Sequence, residues 1–205
     1  MKEFSRRTFL ASLVCTGSLL TCMGPSLAKG RETSRTFFGR QLYLDKNHRW
    51  GKEKANYLDR LSSKTAPDTF NLRHYSQLPA SLQIMQINTD INQTPYISDQ
   101  TRYGRPDIWT DPADFVQNGG DCEDYALAKY NLLAQLGFPS EDMFLLGVMQ
   151  KNSTQAHACL GIERTDGSFL ILDNTIDHPI QDQEYAEKYN LVYAVNKHGL
   201  WRPIL

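Results

Sequence analysis

Apolar residues recur at helical spacing in the first half of the chain and at strand spacing in the second. Trp50–Leu61 is moderately apolar and reads as a helix. Leu78–Ile91 is patterned more strongly, with Leu78, Leu82 and Met85 in one row and Ile84, Ile87 and Ile91 in another. Asn92–Pro106 carries Pro95, Gly104 and Pro106 and is predicted to be loop, long enough to serve a function. Asp111-Pro112 predicts a helix start, an N-cap aspartate followed by proline at the first helical position. That helix should end before Gly119-Gly120. Asp121 then caps a second helix that runs to Leu136, with Gly137 as its stop and Pro139 just beyond. Tyr125, Ala126, Leu127, Ala128, Tyr130, Leu132, Leu133 and Leu136 lie on most of its faces, so it is predicted to be central and buried.

Beyond Gly137 the period changes. Met143–Gln150, Ala156–Arg164, Ser168–Asn174, Leu191–Asn196 and Leu200–Pro203 read as strands, with a short helix around Gln181–Tyr189. Helices first and hairpin-linked strands after them predict an α+β fold, a central cysteine-bearing helix packed on an antiparallel sheet.

Of 205 residues, the first 28 are set apart from the fold. Ser5-Arg6-Arg7-Thr8-Phe9-Leu10, an apolar stretch to about Met23, and Ser26 and Ala28 before a cut have the layout of an export signal of the twin-arginine type. The apolar run is shorter than the roughly 20 residues a membrane span needs, so no membrane insertion is expected once the signal is removed. A lipidated Cys22 is disfavoured by Thr21 before it. Residues 29–48 are polar and poorly patterned and read as a loose N-terminal arm, leaving 49–205 as one domain. The whole chain sums to a net charge of −1. That offers no footprint for a nucleic-acid or membrane-surface partner.

Removing the signal leaves two cysteines, Cys122 and Cys159. An oxidising compartment allows them one disulfide, whereas a nucleophilic Cys122 has to stay free. Cys159, in Ala158-Cys159-Leu160-Gly161-Ile162, reads as a small buried apolar residue. Cys122 differs, because it sits at a helix start between Asp121, Glu123 and Asp124. The helix N-terminus and a nearby histidine lower a thiol pKa, while the acids raise it, so an acidic bracket around a nucleophile calls for a cation. Asp121 and Glu123 could hold calcium with loop carbonyls. Acids are also favoured in the first turn of any helix, which accounts for Asp121 but less well for three acids around one cysteine.

His157 begins a strand, and Asp173 ends the next one. They are candidates for the proton carrier and its orienting acid. A structural histidine and a turn-forming aspartate are the bland readings of the same residues. The other four histidines lie in polar or loop contexts. The hairpin at Asp166-Gly167 sets a condition. A two-residue turn pairing Thr165 with Ser168 puts His157 and Asp173 on opposite faces. A three-residue loop, Thr165-Asp166-Gly167 with Gly167 in the left-handed region, puts them on one, and that loop or an equivalent bulge is predicted.

The run Asp107-Ile108-Trp109, Pro112, Phe115, Gly119-Gly120-Asp121-Cys122-Glu123-Asp124-Tyr125-Ala126, Lys129-Tyr130 and Leu136-Gly137 resembles the bacterial transglutaminase-like cysteine proteinases. His157 in an Ala-His-Ala strand, Leu172-Asp173-Asn174, and Asn196 with Gly199-Leu200-Trp201 extend the match over about residues 80–202. The resemblance implies a papain-like or transglutaminase-like core and a Cys122, His157, Asp173 triad. It implies calcium held by Asp121 and Glu123, as in the LapG-type periplasmic members that clip large surface adhesins and release biofilm cells. It also implies restraint by an inner-membrane cyclic-di-GMP receptor. Acyl transfer to an amine, or a silent binding module of the same fold, are the alternatives. The twin-arginine signal departs from the family pattern.

Overall fold

The computed structural model describes residues 34–204, so the expected signal segment lies outside the described residues. Two short strands open the chain, β1 (Ser34–Phe37) and β2 (Arg40–Asp45). Helices α1 (Arg49–Ser62), α2 (Leu72–Ser76), α3 (Ala80–Asn92), α4 (Asp99–Tyr103), α5 (Pro112–Asn118) and α6 (Cys122–Gln135) follow. Then come β3 (Met143–Gln150), β4 (Ala156–Glu163), β5 (Phe169–Leu172), β6 (Ile180–Gln181), α7 (Asp182–Tyr185), β7 (Tyr189–Asn196) and β8 (Gly199–Pro203). The strands form one antiparallel sheet in the order β1-β2-β8-β7-β3-β4-β5-β6. This is the predicted α+β arrangement.

Every residue of α6 from Asp124 to Leu133 is buried. A helix with apolar residues all round has to be enclosed on all sides. α3 covers it with Ile84, Ile87 and Ile91, α1 with Leu58 and Leu61, and the sheet with Met143, Leu145, Leu160, Ile162, Leu172 and Val195. Leu82 and Met85, predicted to share in α3's apolar face, are exposed instead. The opposite sheet face carries a second core, including Phe144, Leu146, Cys159, Ile171, Leu191 and Trp201. β3 is therefore buried on both faces, and its sequence is a continuous apolar run rather than an alternation.

The arm expected over residues 29–48 is corrected from Ser34 onward. β2 pairs with β8, and Phe37 and Leu42 are fully buried in the second core. Phe37 lies at one end of the sheet and Phe169 on the seventh of its eight strands, yet their ring centroids are 3.5 Å apart. The sheet thus curls until its ends touch. Arg35 of β1 reaches Glu163 of β4 at 2.7 Å across the same closure. The segment looked loose because its anchors are distant in sequence. Phe37→Ala should lower stability by about 3–5 kcal/mol in a denaturant melt. An unchanged midpoint would show that the hairpin adds nothing to the core.

Candidate active site

The loop entering α6 is clamped before the helix begins. Gly119 has φ +77, and a Cβ there would lie 2.5 Å from the Pro95 carbonyl oxygen. A Cβ on Gly120 would lie 2.2 Å from Asp124 Oδ2. Gly119 is required by segment 95–97 running alongside, and Gly120 by Asp124 and Phe115. Gly120 N–H donates to the Pro95 carbonyl, and Ile97 N–H to the Gly120 carbonyl at 2.9 Å. Arg102 donates to the Gly119 carbonyl at 2.8 Å and to Asp114 at 2.7 Å. The stretch expected to be loop thus contains α4, which braces the cysteine's approach. α5 starts as predicted, with Asp111 accepting from Ala113 N–H and Pro112 in the first turn.

Cys122 is the first residue of α6 and partly exposed. Its sulfur lies 3.2 Å from Glu123 Oε2. Burial and the Glu123 carboxylate push the thiol pKa up, offset in part by the backbone N–H of Ala158. That contact joins the helix to β4, one residue from His157. Cys159 is buried in the second core, and both cysteines are free, so no disulfide joins them.

The β4–β5 hairpin has the three-residue loop. Arg164 N–H donates to the Ser168 carbonyl at 2.8 Å, and Gly167 has φ +82. Leu160 pairs with Leu172, so one step outward Cys159 faces Asp173, and His157, two residues before Cys159, shares that face. His157 Nε2 lies 3.0 Å from Asp173 Oδ2. With Nε2 committed to the acid, Nδ1 is the nitrogen left for a thiol. Asp173 is fully buried, and its Oδ1 accepts from Thr175 N–H at 2.7 Å and Thr175 Oγ1 at 2.9 Å. The Tyr185 hydroxyl also donates to Oδ2. Burial works against its charge, yet the hydrogen bond and charge of His157, with the Tyr185 and Thr175 donors, hold Asp173 down to about 2.

The acidic bracket is larger than the sequence suggested. Carboxylate oxygens of Asp99, Asp121 and Asp124 lie within 4.8 Å of one another, all buried, and Asp121 also clusters with Cys122 and Glu123. Asp121 Oδ2 accepts from Asp99 N–H at 3.2 Å, while Asp124 accepts from Thr110 N–H at 2.7 Å and from Asp121 N–H at 3.3 Å. Asp99 Oδ1 and Asp121 Oδ1 are buried with no hydrogen-bond partner among the described residues. Burial raises Glu123 to about 8, reinforced by Asp121, and raises Asp124 to about 7 against the hydrogen bonds from Thr110 and Asp121. Crowded oxygen donors with unused lone pairs fit a hard divalent cation. Asp99 lies 22 residues before Asp121, in a stretch whose apolar pattern gives no helix. The pair Ser98-Asp99, a capping serine and a first-turn acid, was the one local sign of α4.

Trp109 packs against the helical core with Tyr57 edge-on at 5.5 Å and the Lys54 ammonium 3.5 Å above its ring. Asn196 is a structural residue. Its side chain donates to the Glu141 carbonyl and accepts from Trp201 Nε1, which fixes the β7–β8 turn.

A family model described as bacterial transglutaminase-like cysteine proteinase matches residues 55–204. Among solved structures, calcium-bound LapG from Legionella pneumophila is 26% identical, with a TM-score of 0.56 over 72% of this chain and 87% of that one. EGTA-treated LapG from Legionella pneumophila is 25% identical, with a TM-score of 0.58 over 74% of this chain and 86% of that one. No curated protein sequence matches the chain.

The depressed Asp173 pKa has a consequence for acid stability. An aspartate near 3.9 when unfolded and about 2 when folded adds stability above pH 4, lost as pH falls from 4 through 2. The contribution is on the order of 2 kcal/mol. The stability gap between wild type and Asp173→Asn should therefore narrow between pH 5 and pH 2 in denaturant melts. A gap independent of pH would assign the depressed pKa to no net interaction.

Proposed function

Because the chain belongs to the bacterial transglutaminase-like cysteine proteinases and is a cysteine peptidase, we propose that Cys122, His157 and Asp173 are its catalytic triad. The observation that carries this is the 3.0 Å His157–Asp173 hydrogen bond, held one residue from the Ala158 N–H that meets the Cys122 sulfur. His157 takes the thiol proton as the sulfur attacks a peptide carbonyl carbon. It returns that proton to the departing amine, leaving a thioester on Cys122. Water, deprotonated by His157, then attacks the thioester carbonyl, and the sulfur leaves with the proton restored. Asp173 holds the imidazole tautomer throughout and keeps its own charge. The backbone N–H of Cys122, at the helix start, is suited to the oxyanion.

Asp121, Glu123 and Asp99 would hold calcium, with Asp124 beside them. Calcium when bound supplies positive charge that offsets the carboxylates flanking the nucleophile. The orphaned Asp99 and Asp121 oxygens support this, as does the relative solved with calcium. The substrate class that fits is a large surface adhesin cut near its N-terminus. The chain's restraint would fall to an inner-membrane cyclic-di-GMP receptor.

One assay tests the chemistry. The mature chain is incubated with the N-terminal region of a large surface adhesin and a labelled amine, in calcium or in EGTA. Calcium should permit cleavage and raise the unfolding midpoint. EGTA should reverse both, and Cys122→Ala should lower the cleavage rate by more than about a thousandfold. Amine incorporation without cleavage would make the chain a transferase. Cleavage indifferent to EGTA would remove calcium from the reading.

The Arg6-Arg7 signal supports delivery to the periplasm by the twin-arginine route. Replacing both arginines by lysine should leave uncut precursor in the cytoplasmic fraction. Unaltered export of that variant would point to another route.

A further inference from the structure

The acid and the histidine are tied together by more than their own hydrogen bond. Asp173 Oδ2 receives two donors, His157 Nε2 at 3.0 Å and the hydroxyl of Tyr185. The Tyr185 ring is stacked on Tyr189, centroids 4.5 Å apart and planes 11° from parallel. Tyr189 in turn lies 5.8 Å from the His157 ring at 32°. The four side chains close a cycle: acid, Tyr185, Tyr189, histidine, acid. Tyr185 is fully buried at the end of α7, which is itself anchored where Asp182 Oδ2 accepts Phe38 N–H at 3.0 Å.

Each link removes a freedom that the hydrogen bond alone leaves open. One bond at Nε2 fixes one atom of the imidazole, and the ring can still swing about it. A ring face packed against it restricts that swing. The Tyr185 hydroxyl fixes Oδ2, as Thr175 fixes Oδ1. A carboxylate whose lone pairs already face donors stays charged and takes up no proton from the imidazolium.

We propose that Tyr185 and Tyr189 are positioning residues of the reaction: Tyr185 acts through Asp173, and Tyr189 acts on the face of His157. The proposal rests on the triad reading above. Neither tyrosine is asked to touch the substrate, and neither lies in the acidic bracket.

Tyr185→Phe keeps the aromatic stack and removes only the hydroxyl. Tyr189→Leu removes the stack, and Tyr189→Phe keeps it. The readouts are kcat and KM for adhesin-fragment cleavage and the downfield proton resonance of His157 Nε2–H, identified by its loss in His157→Ala. Tyr185→Phe should move that resonance and lower kcat about tenfold with KM unchanged. Tyr189→Leu should lower kcat similarly, and Tyr189→Phe should restore it. A Tyr185→Phe protein with wild-type kcat and an unmoved resonance would overturn the proposal. So would a Tyr189→Phe protein as slow as Tyr189→Leu. If wild type itself does not cleave, the triad reading fails, while the resonance still reports on the tyrosine contacts.

Discussion

Burying several carboxylates at the start of one helix is the constraint around which the rest of this structure is arranged. Asp99, Asp121 and Asp124 bring oxygens within 4.8 Å of one another out of solvent, with Glu123 close by. Two unit charges 4 Å apart repel by about 4 kcal/mol at an effective dielectric near 20, several times what a helix N-terminus returns. The segment from Pro95 to Thr110 supplies hydrogen-bond donors that offset part of this repulsion. It turns the N–H groups of Asp99, Ile108 and Thr110 onto these acids and runs against Gly119 and Gly120. The connection read as a loop is therefore the hydrogen-bonding lining of the cysteine's helix.

The second half of the site answers to a different requirement. His157 and Asp173 sit on adjacent strands on the sheet face that points away from the main helical core. The helix bearing the cysteine reaches β4 through the backbone N–H of Ala158, next to His157. The candidate site thus draws on two cores. One core fixes where the thiol stands, and the other fixes the acid and the imidazole. Asp173 is tied into that second core by the Tyr185 hydroxyl, and the helix carrying Tyr185 is tied to the N-terminal hairpin by the Asp182–Phe38 bond.

What the sequence shows follows from how local each signal is. Asp111-Pro112, the Gly119-Gly120 pair and the three-residue hairpin loop are written within a few neighbouring residues, and the structure has them where they were read. The buried α6 is equally legible, because apolar residues on every face admit one solution. β1 and β2 are not, since their burial depends on Phe169 and Trp201 more than a hundred residues away. Asp99 meets Asp121 across 22 residues and Tyr185 meets Asp173 across 12, with no period to mark either. Leu82 and Met85 err the other way, apolar at helical spacing and yet on α3's open side.

The family match starts at residue 55, after both β1 and β2. Yet β2 occupies the outer backbone edge of β8, from Leu42 against Pro203 to Asp45 against Leu200. A chain trimmed to the family boundary would leave β8 as a bare strand edge, a template for pairing with another molecule. The hairpin thus keeps a backbone edge covered that the family boundary by itself would leave open.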